Sequence, residues 1–145
     1  MRAVLQRVQE ASVDVGGERI ASIQKGLLVL LGLTHGDTLE DGEALLKKMT
    51  NLRIFEDDKG KMNLSLLDIQ GQLLLVSQFT LYANCTRGRR PSFTDAMPPG
   101  EAEPLFEQIV QKAQTLVLDV QKGQFGAEMK VHLLNDGPVT ILLES

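Results

Sequence analysis

Ser77, Gln78 and Thr80 are the first side chains whose types and spacing could do chemistry. They follow directly on Leu73-Leu74-Leu75-Val76, an apolar run with the length and composition of a buried β-strand. Two hydroxyls and an amide delivered at such a strand end can line a cleft, and a hydroxyl there could act as a nucleophile. That role needs a positioned base to take the proton. The chain has two histidines, His35 and His132, and no flanking pattern ties either one to Ser77 or Thr80. His35 lies in a turn-like context, and His132 shares a strand face with Lys130, a face for solvent or a subunit contact. Pattern alone favours the plainer reading, a strand end whose hydroxyls satisfy nearby backbone groups.

Other chemistries find less support. No His, Cys or carboxylate cluster has metal-ligand spacing. Cys85 has Arg87 nearby but no partner histidine, and it reads as a small packing residue. Asp57-Asp58 belongs to a turn, while Glu101 and Glu103 open a helix, where the macrodipole favours acids. What remains is main chain. If the backbone turns after Gln78, Phe79 and Thr80 can present consecutive N–H groups, which an oxyanion hole requires. Gly137-Pro138 is the second backbone feature. An X-Pro bond adopts cis at low cost, and a cis bond would turn two successive carbonyls to one side. An Asp-Gly turn with trans proline is the reading that local pattern favours.

The elements that must position these residues can be read from periodicity. Alternation from Ala3 to Val15, the Gly16-Gly17 break and Glu18 to Ile23 predict a β-hairpin. Leu27 to Leu33 is an apolar run, read as a central strand buried on both faces. Thr38 with Asp41 resembles a capping box ahead of a helix from about Leu39 to Asn51, carried by Leu45, Met49 and Leu52. A short strand is expected at Arg53 to Glu56 and a long loop from Ala83 to Gly100. A second helix is expected from about Glu101 to Leu116. Strands at Val117–Gln121, Met129–Leu134 and Val139–Leu143 complete the chain, the last two separated by Asn135-Asp136-Gly137-Pro138. The sum is an α+β fold: one domain over residues 1–145, with a mostly antiparallel, barrel-like sheet and two main helices.

Composition narrows the function. A chain of 145 residues can bury a core without staples, and its single cysteine forms no internal disulfide, which suits a reducing cytoplasm. The N-terminus lacks a signal-peptide pattern, and no apolar run approaches the ~20 residues of a membrane span. A net charge of −4 argues against coating long stretches of nucleic acid. It leaves room for a local grip through Arg87-Gly88-Arg89-Arg90. A soluble, cytoplasmic protein is expected.

Ser77-Gln78-Phe79-Thr80 and Asn135-Asp136-Gly137-Pro138-Val139-Thr140 together resemble the signatures of the D-aminoacyl-tRNA deacylase family of bacteria and eukaryotes. Gln6-Arg7-Val8, Gly60-Lys61-Met62-Asn63, Arg90-Pro91-Ser92-Phe93 and Phe125-Gly126-Ala127-Glu128-Met129 match in family order, so the resemblance runs end to end. Tyr82 and Cys85 depart from the smaller or more polar residues expected there, outside the motifs. The resemblance implies an editing hydrolase that cleaves the ester joining a D-amino acid to the terminal adenosine of tRNA. It also implies a homodimer with sites at the subunit interface and no cofactor or metal. On the same basis Gly137 and Pro138 form a cis pair that enters the partner's site as chiral selector, supported by Arg7 and Asn135. Backbone groups of Phe79 and Thr80, beside Ser77 and Gln78, hold the substrate carbonyl, and Gln78 helps fix the selector. Phe125 and Met129 line the adenosine pocket, and the tRNA's own terminal 2′-hydroxyl assists catalysis. Steric rejection of L side chains implies leakage onto glycyl-tRNA, which has none to reject. Two rivals stand beside this reading: a related domain editing an L-amino acid, and a non-catalytic nucleic-acid-binding dimer using the arginine loop.

Overall fold

Strand β1 (Arg2–Val15) organises the sheet, because both its edges are paired along most of its length. The computed structural model describes all 145 residues. On one edge, the first half of β1 pairs with β3 (Gly26–Gly32) and the second half with β2 (Glu18–Ile23), all antiparallel. On the other edge it pairs with β8 (Lys130–Glu144). The sheet then continues from β3 to β6 (Gln72–Ser77) and β7 (Val120–Lys122), and both of these pairings are parallel. Parallel neighbours need long crossovers, and each crossover carries one helix. Helix α1 (Leu39–Asn51) lies between β3 and β6, together with the small hairpin β4 (Phe55–Glu56) and β5 (Met62–Leu64). Helix α2 (Pro99–Leu116) lies between β6 and β7.

The mostly antiparallel, two-helix α+β architecture stands, with those two parallel ladders set into it. Helix α1 begins where the capping box places it: the Thr38 N–H donates to Asp41 Oδ2 at 2.8 Å and the Asp41 N–H to Thr38 Oγ1 at 3.4 Å. The Thr38 backbone N–H holds the Asp41 carboxyl below its ordinary value. Helix α2 starts at Pro99, two residues before the expected onset, since proline at the first helical position gives up an N–H that has no partner there anyway.

Two apolar clusters lie on opposite faces of the sheet. The larger packs α1 and α2 against Leu27, Val29, Leu31, Leu73 and Leu75. Gly42 permits the close approach of the helices, because a Cβ there would meet Ile109 Cγ1 at 2.6 Å. The smaller cluster joins Val8, Val13, Ile23, Leu28, Leu74 and Val76 inside the curl of the sheet. Strand β6 is therefore buried on both faces, as its apolar run predicts. No helix is long and apolar enough to cross a membrane.

Three expectations are corrected. Met129–Leu134 and Val139–Leu143 belong to one strand of 15 residues, β8. Asn135-Asp136-Gly137-Pro138 interrupts its register without ending it. Strand β7 starts at Val120, because Val117 still donates to Ala113 O as the cap of α2. Cys85 is exposed in the loop after β6 and packs in no core.

Candidate active site

Strand β6 leaves the core at Ser77, which pairs with Leu31 of β3. The Gln78 N–H still donates to Leu31 O at 2.8 Å. The chain then turns into a single 3₁₀ turn, Phe79–Tyr82. The first N–H groups of a helical turn have no partner within it, and here the N–H groups of Phe79 and Thr80 donate to no atom of the chain, whereas Leu81 and Ala83 bond back to Gln78 and Thr80. Two adjacent donors are thus left without a backbone partner at the end of a strand buried on both faces. The turn is pinned from outside: Arg2 Nη1 donates to Leu81 O at 3.0 Å, and its guanidinium stacks over the Tyr82 ring at 4.6 Å. Burial pushes the Tyr82 hydroxyl up to about 12.

A cavity of about 520 Å³ opens beside this turn. Ser77, Gln78 and Phe79 line one side and Phe125 and Met129 another, so the strand end and the distant 125–129 segment do meet. Thr80 is not part of the lining. Helix α2 contributes Ala102 and Phe106, and Phe93 returns from the long loop to place its ring edge-on to Phe79, centroids 5.1 Å apart. Phe79 itself is 56% exposed, an apolar ring left at the cavity mouth. Residue-by-residue reading of the sequence missed Phe93, although an aromatic in an otherwise polar, glycine- and proline-broken loop is a visible signal.

The lining contains no ionisable side chain. His35 bonds to Thr94 O at 2.8 Å and His132 to Asp14 at 3.1 Å, each apart from the cavity. Asp14, bridging Arg19 and His132, has its carboxyl held below the ordinary value chiefly by Arg19. The Thr80 hydroxyl is bonded to the Gln78 amide at 2.5 Å. No base stands ready to activate Ser77 or Thr80, while main-chain donors are available, and this arrangement suits stabilisation of an oxyanion on an already reactive acyl group.

The second set of residues lies elsewhere on the chain. Asn135 of β8 faces Val8 and Thr140 faces Gln6, so residues 136–139 bulge out opposite Arg7 alone. Arg7 is 5% exposed, and its guanidinium ties the bulge to the body: Nε donates to Asp136 O at 2.9 Å and Nη1 to Ile54 O at 2.6 Å. Asn135 closes the neck, accepting from Val139 N at 2.8 Å and donating to Thr140 Oγ1 at 3.2 Å. The Gly137-Pro138 bond is cis, where local pattern favours trans. Both residues are exposed. Gly137 has φ +142°, and a Cβ there would meet Val139 Cγ2 at 2.7 Å and Arg7 Nη2 at 3.2 Å. Gly137, Pro138, Arg7 and Asn135 do not line the cavity of their own chain, and Gln78 makes no bond to them.

Residues 4–144 match the family described as D-Tyr-tRNA(Tyr) deacylase. The chain belongs to this deacylase family. The D-aminoacyl-tRNA deacylase of Thermosipho melanesiensis is 59% identical over 146 residues, covering 100% of this chain and 97% of the relative. That of Halalkalibacterium halodurans is 52% identical, covering 100% and 99%. A solved structure titled c-Myc DNA Unwinding Element Binding Protein superposes with a TM-score of 0.95 at 45% identity, covering 100% and 99%. A probable eukaryotic D-amino acid tRNA deacylase superposes at 0.82 with 15% identity, covering 98% and 97%, which shows the shared fold. As a deacylase this chain is a hydrolase, and D-aminoacyl-tRNA deacylation is the activity its family membership supports.

Proposed function

We infer that the chain edits D-aminoacyl-tRNA in a site completed by a second copy of itself. The observation that carries this reading is the separation of two preformed halves. The unpartnered N–H groups of Phe79 and Thr80 stand at the strand end that lines a cavity with no ionisable side chain, and the braced Gly137-Pro138 bulge is exposed and takes no part in that lining. A two-fold dimer is self-complementary, so one chain's bulge can fill the other's cavity mouth in both directions. The terminal adenosine of the tRNA packs against Phe125 and Met129. The ester carbonyl points at the Phe79 and Thr80 N–H groups.

Hydrolysis then needs little from the protein beyond geometry. Water adds to the ester carbonyl, the oxyanion is stabilised by the two main-chain donors, and the C–O bond to the ribose breaks as the ribose oxygen takes a proton. The neighbouring 2′-hydroxyl of the substrate orients the water and relays that proton. An aminoacyl ester is intrinsically reactive, so orientation and oxyanion stabilisation suffice. Chirality is set by rejection. The partner's Gly137-Pro138 main chain leaves space for hydrogen on one side of the substrate Cα, which excludes an L side chain and lets a D side chain point outward. The reaction belongs to the cytoplasm, where tRNA is charged.

Purified protein is expected to deacylate D-tyrosyl-tRNA and glycyl-tRNA and to leave L-tyrosyl-tRNA at its spontaneous rate. Release of labelled amino acid measures all three. Hydrolysis of the L substrate would point to the rival L-editing domain, no hydrolysis of any would leave only a binding role, and an untouched glycyl-tRNA would overturn rejection by shape.

A further inference from the structure

The arginines of the loop between β6 and α2 take no part in the cavity or in the bulge. The chain has seven arginines, and four of them are bonded in the fold. Arg2 pairs with Glu144, Arg19 with Asp14, Arg7 holds Asp136 and Ile54, and Arg53 holds Asn63. Arg87, Arg89 and Arg90 are the other three, all exposed within four positions, and none of them makes an ion pair or a hydrogen bond to the chain. The acidic residue of the same loop, Asp95, is engaged through its carbonyl by Thr34 Oγ1, and its carboxylate pairs with no arginine. Three guanidinium groups kept free on a chain of net charge −4 form a local positive site on a surface that otherwise repels polyanions.

The loop that carries them has a defined shape. Asn84 and Ser92 exchange backbone hydrogen bonds of 2.8 and 3.0 Å, closing a hairpin-like neck. Asn84 Oδ1 accepts from Thr86 N at 3.0 Å and Thr86 Oγ1 at 2.7 Å, which sets the first turn. Gly88, at φ +68°, makes the tip. Immediately after the neck, Phe93 packs on Phe79 at the cavity mouth. Only Pro91 and Ser92 separate Arg90 from Phe93, so the two Cα atoms lie at most about 11 Å apart. The guanidinium groups therefore stand within a few nucleotides of anything whose end lies in the cavity.

We propose that Arg87, Arg89 and Arg90 form a phosphate grip for the 3′ strand of the tRNA acceptor end, placed by the Phe93–Phe79 contact so that the terminal nucleoside enters the cavity. The proposal rests on the tRNA-editing reading of the site. Guanidinium groups suit this role because their planar donors engage phosphate oxygens bidentately. The contacts read phosphate and not base, so they serve every tRNA alike.

The test uses the whole protein and an uncharged tRNA, so that binding is read apart from catalysis. With about 0.7 of salt slope per phosphate on single strands, loss of three contacts removes roughly 2 from the slope, about a twentyfold difference between 50 and 200 mM salt. Combined Arg87→Ala, Arg89→Ala and Arg90→Ala is expected to weaken tRNA binding at 50 mM salt by tenfold or more and to flatten its salt dependence by that amount. The matching Arg→Lys set keeps most of the slope. On D-tyrosyl-tRNA the alanine variant is expected to raise KM and keep kcat, while its rate on D-tyrosyl-adenosine, an ester without phosphate, stays that of the wild type. Unchanged tRNA affinity and salt slope would overturn the grip, as would loss of duplex DNA binding with tRNA binding intact. Failure of the wild type on both D-tyrosyl esters would instead overturn the editing reading, which the binding arm does not test.

Discussion

Phe79→Pro is expected to lower the single-turnover rate on D-tyrosyl-tRNA by about 10²–10³-fold relative to Phe79→Ala, the loss typical of one oxyanion donor. The comparison isolates one hydrogen atom. Both variants lose the exposed ring that packs on Phe93, and only proline removes the Phe79 N–H. Proline is tolerated there, because Phe79 is the first residue of its 3₁₀ turn and its N–H bonds to nothing in the chain. Gln78, at φ −145° and ψ 84°, lies outside the helical region that a following proline disfavours. Circular dichroism and thermal midpoint report whether the turn survives. Thr80→Ala is the companion control: it keeps the Thr80 N–H and loses the γ-methyl and the hydroxyl that binds Gln78, so substantial activity is expected. Equal rates for the Phe79 variants would remove the main-chain donors from the mechanism. A Thr80→Ala rate at background, with an acyl-enzyme trapped on the wild type, would make Thr80 a nucleophile.

Gly137→Val has the second large effect, an expected loss of about 10²-fold on D-tyrosyl-tRNA, the scale of a 1 Å misplacement in a catalytic site. Residue 137 has φ +142°, which L side chains rarely adopt, and even a Cβ would press on Val139 and on the Arg7 guanidinium. The bulge must therefore change shape. Strained backbone of this kind costs about 1–3 kcal/mol, and because the bulge is exposed at the edge of β8, the fold is expected to persist. The loss is accompanied by a reduced ratio of D- to L-tyrosyl-tRNA hydrolysis. Wild-type kinetics with both substrates would show that Gly137 does not shape the site.

Local signals carried much of this architecture. The Thr38–Asp41 cap, the Gly16-Gly17 hairpin turn and the apolar run into Ser77 each combine a short pattern with a single physical cause, and each element stands where its pattern puts it. The parallel pairings of β6 with β3 and β7 leave no comparable trace, since they depend on which distant strands become neighbours. Strand β8 shows why breakers mislead. Gly137 and Pro138 read as the end of a strand, yet on an edge the four residues opposite Arg7 can bulge out while the ladder resumes at Thr140. The site divided in the same way. Ser77, Gln78 and Phe79 were legible as a strand end, whereas the reach of Phe93 across the loop and the anchoring of the bulge by a buried arginine are long-range contacts.

The central claim is that each site takes its main-chain donors from one copy and its selector from the other, and mixing two inactive variants tests it most directly. Phe79→Pro and Gly137→Val chains, unfolded together and refolded at equal concentration, are expected to give half heterodimers. In each heterodimer one site carries both defects and the other none, so activity should return to about one quarter of the wild-type value. A mixture no more active than its separate components would contradict the account and place both halves of the site on one chain.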